Sequence, residues 1–124
     1  MKWVLVVDDE PSILQLISDL LRDEAYGVLV ARSGREMLTV LETERPDLIL
    51  LDVMMPDGDG REALHLMQAQ PQLRDIPVVM MSAGVDRQQV RELATTFLAK
   101  PFDLEDLLRT VVDTIGPGDA STRS

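Results

Sequence analysis

Five residues in this chain could together hold a cation and handle a phosphoryl group: Asp8, Asp9, Asp52, Ser82 and Lys100. Each comes directly after a short apolar run. Asp8 and Asp9 follow residues 4–7, Asp52 follows 48–51, Ser82 follows 78–81, and Lys100 follows 97–99. Three carboxylates gathered in one place repel one another unless a proton or a cation relieves them. Magnesium suits such a set, because it takes oxygen ligands and keeps several waters, so that one or two carboxylates and a backbone carbonyl suffice. Manganese is the second choice of ion. No cysteine and a single histidine, His65, leave nothing from which to build a zinc site, and His65 reads as a surface residue. A carboxylate in such a setting can also act as a nucleophile and take up a phosphoryl group. Lys100 by its charge and Ser82 by its hydroxyl are suited to bind the phosphoryl oxygens. Asp favours turns, so chance would place one or two polar residues at strand ends; five together are harder to obtain that way.

These residues need a scaffold that brings strand ends together. Runs 4–7, 48–51 and 78–81 are continuously apolar and bounded by Asp, Pro or Ser, as in strands covered on both faces. Residues 28–31 and 97–99 read as two further strands. Between the strands the apolar spacing is helical. Ile13, Leu16, Ile17, Leu20 and Leu21 form a stripe behind Pro11, which suits a first turn. Residues 35–43 form a second helix, with Ser33 and Glu36 spaced as a capping box and Met37, Val40 and Leu41 facing inward. A third helix over 59–69 carries Ala63, Leu64 and Met67 and ends before Pro71. Residues 86–95 make a weaker helix, with only Val90, Leu93 and Ala94 as its apolar face. Asp103 caps a final helix lined by Leu104, Leu107, Leu108, Val111 and Ile115, which Gly116 and Pro117 stop. Five strands alternating with five helices predict an α/β fold, a doubly wound five-stranded parallel sheet with helices on both faces. Ligands of such sheets bind beyond the carboxyl ends of the strands, where the five residues fall. We expect one domain over residues 1–116 and a flexible tail over 117–124.

The composition sets limits on function. At 45% hydrophobic and 27% charged, the 124 residues fit one globular domain, and with only 3% aromatics its core must be aliphatic. Lacking cysteine, the chain has no disulfide framework and no thiol chemistry, and cytoplasm is the natural compartment. The apolar start is broken at Asp8, too early for a signal peptide or a membrane span. With 12 basic against 22 acidic residues the net charge is −10, which opposes direct binding to DNA or to anionic lipid. Most of these carboxylates simply keep the surface soluble.

Four fragments taken together resemble the receiver domains of bacterial two-component response regulators: Val-Val-Asp8-Asp9-Glu10-Pro11, Leu-Leu-Asp52-Val-Met-Met-Pro56-Asp-Gly-Asp-Gly60, Met-Ser82-Ala83 and Lys100-Pro101-Phe102. The resemblance covers nearly the whole chain and implies a flavodoxin-like fold of receiver type. It implies that Asp52 is the phosphoacceptor, Asp9 a direct magnesium ligand, Asp8 a ligand through water, and the Met54 carbonyl a further ligand. Ser82 and Lys100 would hold the phosphoryl group, with the Ala83 amide as a helper; a small residue needed for tight packing is an equal reading of Ala83. Phe97 stands where the family often carries an aromatic that turns inward on phosphorylation, and Ser82 would move with it; as a bare sequence feature Phe97 reads as core. Lys100-Pro101 resembles the family's cis peptide. Pro56, Gly58 and Gly60 shape the loop after Asp52, Asp57 and Asp59 read as turn and cap residues, and Glu10 faces solvent or touches the ion through water. The implied function is phosphoryl acceptance from a histidine kinase or phosphotransfer protein, followed by a conformational switch. The signal would pass to a protein partner or to an output domain beyond this sequence. On this reading the chain is a signalling phosphoacceptor and not an enzyme acting on other substrates.

Three other functions compete with this one. A haloacid-dehalogenase-type phosphatase also uses a carboxylate nucleophile, but carries a second Asp two residues on, where this chain has Met54. A receiver-like module working without phosphorylation would not need the intact set of Asp9, Asp52, Ser82 and Lys100. A nucleotide site lacks its Gly-rich loop after the first strand. One departure from the family stands out: 17 residues separate Ser82 from Lys100, fewer than most receivers carry. The fourth of the five helices is therefore expected to be short, and the domain mainly monomeric.

Overall fold

Successive residues of a strand point to opposite faces, so a strand apolar at every position needs cover on both sides. A computed structural model shows that cover, and describes residues 1–52, 59–82, 96–99 and 102–118, without the side chains of Asp59 and Ser82. Five strands form one sheet in the order β2-β1-β3-β4-β5, every neighbouring pair parallel. They are β1 (Trp3–Val7), β2 (Gly27–Ala31), β3 (Leu48–Asp52), β4 (Val78–Ser82) and β5 (Thr96–Ala99). Four helices lie among the described residues: α1 (Pro11–Asp23), α2 (Gly34–Leu41), α3 (Asp59–Gln68) and α4 (Leu104–Ile115). The helix expected over 86–95 lies outside the described residues, and α4 is the last of the five read from the sequence.

The two faces of the sheet sort the strand residues by parity. Leu5, Val7, Ile49, Leu51, Val78 and Met80 join Met37 and Leu41 of α2 and Ala63, Leu64 and Met67 of α3 in one buried cluster. Val4, Val6, Leu48, Leu50, Val79 and Met81 join Leu14, Ile17 and Leu21 of α1 and Leu107 and Val111 of α4 in the other. Burying a Leu, Ile, Val or Met side chain contributes about 1.5–3 kcal/mol, so these two layers hold the architecture together.

Local chemistry sets the helix ends. Pro11 occupies the first turn of α1, where its missing amide costs nothing. Ser33 Oγ accepts from the Glu36 amide at 3.1 Å, and Asp103 Oδ1 accepts from the Asp106 amide at 2.8 Å. Gly116, at φ +83°, ends α4 in a backbone region that a Cβ disfavours. Residues 117 and 118, read from the sequence as the start of a tail, lie against the body of the domain: Lys2 Nζ donates to the Pro117 carbonyl at 2.9 Å. Among the described residues no helix is long and apolar enough to cross a membrane.

Candidate functional site

The strand order fixes where the acids meet. From β1 the chain winds outward to β2 and then returns past β1 to β3, so the crossovers on either side of the β1–β3 pair run in opposite senses. A crevice opens there beyond the carboxyl ends. Val7 pairs with Leu51 in register, so Asp8 and Asp52 leave the sheet side by side at that crevice. Both are buried, Asp8 at 0% exposure and Asp52 at 3%. Asp9 is more open to solvent. One carboxylate oxygen from each of Asp8, Asp9 and Asp52 lies within 4.8 Å of the others.

Hydrogen bonds shape this turn. The Asp8 amide donates to the Ala31 carbonyl at 3.1 Å, extending the β1–β2 ladder by one step. Asp8 Oδ1 accepts from the Glu10 amide at 3.0 Å, which bends the chain into α1. Glu10 contributes that amide, while its side chain is exposed and outside the three-acid group. Two full negative charges at such a separation repel by about 3 kcal/mol in an effective dielectric of about 20, and three acids give three such pairs. The donors are all oxygen, which fits a hard divalent cation such as magnesium or manganese.

The remaining expected residues are placed to different degrees. Asp52 pairs with Met81 in register, and Ser82, the next residue, ends β4 opposite Ala99 of β5. The backbone of Ser82 therefore stands one step beyond the strand neighbour of Asp52. The Ser82 side chain, Met54, Pro56, Asp57, Gly58, Ala83, Lys100 and the Lys100-Pro101 bond lie outside the described residues. Lys100 follows the last residue of β5 in the chain. Phe97 is half-buried and packs against the cluster shared with α2 and α3. Gly60 is buried in the first turn of α3, and His65 is exposed in its last turn. Sequence reasoning gave no part to Tyr26 or Lys2, whose partners lie 90 and 115 residues away, and no short-range signal marks either.

Comparison with known proteins agrees with this arrangement. The sequence matches the response regulator receiver domain family over residues 4–112. It is 41% identical over 105 residues to the alkaline phosphatase synthesis transcriptional regulatory protein PhoP of Bacillus subtilis, covering 82% of this chain and 43% of that one. The chemotaxis response regulator CheY4 of Vibrio cholerae superposes with a TM-score of 0.85 at 36% identity, over 92% of this chain and 98% of that one. The receiver domain of the sensor histidine kinase PA1611 of Pseudomonas aeruginosa, solved with magnesium coordinated in its active-site cleft, gives a TM-score of 0.83 at 30% identity, over 93% and 98%. A doubly wound sheet with three acids at its switch point defines a receiver, and the chain belongs to the response regulator receiver domain family. It is a receiver domain of two-component signal transduction, a signalling module, and the phosphatase alternative finds no support in that family. The chain spans about half the length of four of the curated relatives it matches, from 43% to 55%, and 86% of two others.

Proposed function

We propose that Asp52 accepts a phosphoryl group from a histidine kinase or a phosphotransfer protein, with a divalent cation held by the acids beside it. The observation that carries this reading is the meeting of Asp8, Asp9 and Asp52 within 4.8 Å at the β1–β3 crevice. An Asp52 oxygen attacks phosphorus, the new O–P bond forms as the donor's N–P bond breaks, and the departing imidazole keeps the electron pair and takes a proton. Magnesium, or manganese in its place, neutralises the phosphoryl oxygens when bound. Asp9, the more open acid, would ligate it directly, Asp8 through water, and the Met54 carbonyl would complete the protein's share. Lys100, Ser82 and the Ala83 amide hold the transferred group. Ser82 and Phe97 then shift to pass on the signal, which suits an aromatic packed at half-burial between core and surface.

The partner downstream is a docking protein or an output domain, as the names of the transcriptional relatives suggest. We place the protein in the cytoplasm, its receiver unit over residues 1–116, and its fourth helix, over 86–95, as a short one. Incubation with acetyl phosphate and magnesium followed by intact-mass measurement tests the central claim. The wild type should gain one phosphoryl mass and Asp52→Asn none; an equal gain in both would show that Asp52 is not the acceptor.

A further inference from the structure

The edge of the sheet opposite the acids carries a long-range construction that phosphoryl chemistry does not use. Tyr26 is 2% exposed, and its hydroxyl donates to the Gly116 carbonyl at 2.6 Å. Lys2 Nζ donates to the next carbonyl, that of Pro117, at 2.9 Å. At Gly118 a Cβ would run into the Glu24 carbonyl oxygen and the Ala25 backbone, so the chain passes flush over the turn between α1 and β2. Ala25 holds φ +68° as the left-handed residue that closes α1, where the Tyr26 amide donates to the Leu21 carbonyl and the Ala25 amide to the Arg22 carbonyl, each at 3.0 Å.

We infer that Gly116-Pro117-Gly118 is a lock that fastens the end of α4 to the start of β1 and to the α1–β2 turn. Residues 116–118 are thereby held in one place, at the end of the sheet opposite Asp52. Each residue type has a reason. Gly116 takes the positive φ, and a Cβ there would also meet Lys2 Nζ at 2.7 Å. Pro117 offers a carbonyl without an amide that needs a partner, and Gly118 permits the close backbone approach. The Lys2 ammonium sits just past the carboxyl-terminal end of α4, where the helix dipole favours a positive charge. Tyr26 is part of the buried cluster that holds Leu21 and Val111, so its hydroxyl is referenced to the core. With Asp103 capping its other end, α4 is held at both ends. The lock does not depend on the phosphoryl reading.

Amide relaxation and hydrogen exchange on the full chain test the lock. Gly118 should show an order parameter near about 0.85, as rigid backbone does. The Gly116 amide donates to the Val112 carbonyl at 2.7 Å and reports on the end of α4. Tyr26→Phe, which keeps the ring, and separately Lys2→Met should each speed its exchange about five- to tenfold, as loss of one hydrogen bond would. Gly118→Ala should lower the order parameter at position 118. An order parameter under about 0.6 at Gly118 in the wild type, or Gly116 exchange unaltered in both other variants, would overturn the proposal.

Discussion

Asp8 and Asp9 are chain neighbours with different surroundings. Asp8 is wholly buried and gives one oxygen to the Glu10 amide, whereas Asp9 opens toward solvent, where an ion can keep its waters. The two acids should therefore differ in their effect on metal affinity. Asp8→Ala should weaken magnesium binding about tenfold, the range of partners that act through another group, and Asp9→Ala by clearly more. Titration calorimetry reads both, and equal affinities would remove the distinction between direct and water-mediated ligation. At this scale the sequence was informative because both acids directly follow an apolar strand. It did not reveal that Glu10 contributes its amide while its side chain stays outside the group.

Among the elements, α2 and α4 each begin with a side-chain cap readable from the sequence, Ser33 with Glu36 and Asp103 with Asp106. Ser33→Ala and Asp103→Ala should each cost about 1 kcal/mol of stability by urea unfolding. These caps lie on opposite faces of the sheet, against separate clusters, so the double variant should lose the sum within about 0.5 kcal/mol. A larger shortfall from additivity would mean that the two helices are coupled through the sheet. The strands were legible for a related reason. Continuous apolar runs such as Leu48 to Leu51 indicate cover on both faces, and the structure divides those residues alternately between the two clusters. The two edge strands, β2 and β5, were harder to delimit, since partly exposed residues blur the pattern.

At the scale of the whole molecule, the Tyr26 contact links stability to pH. Burial first, and the Glu24 carboxylate second, push the Tyr26 phenol above its usual 10.0, because both disfavour the phenolate. The neutral phenol is thus the form the fold prefers. Its stabilisation is complete below pH 10 and is lost as pH rises through the higher folded value. Thermal unfolding should show the wild type losing stability above pH 10 more steeply than Tyr26→Phe. Tyr26 is the only tyrosine, so phenolate absorbance reports the titration directly. Identical slopes in the two proteins would sever stability from this group. The net charge of −10 also acts on the whole molecule, opposing self-association, and on the proposal that the helix over 86–95 is short the domain should stay monomeric. Light scattering with and without beryllium fluoride, a phosphoryl mimic, should give one monomer mass; a tight dimer would contradict the short-helix reading.

The sequence by itself determined the elements found among the described residues and the residue types at their ends, because strand runs, helix stripes and caps depend on residues within a few positions of one another. It placed Asp8, Asp9 and Asp52 each after a strand, and a family resemblance supplied their roles. Only the tertiary structure decided that β1 lies beside β3 with Val7 opposite Leu51, which turns three separate acids into one group. It alone tied Tyr26 to Gly116 and Lys2 to Pro117, across 90 and 115 residues. Contacts at that range depend on which elements pack together, and no local pattern of residue types records that choice.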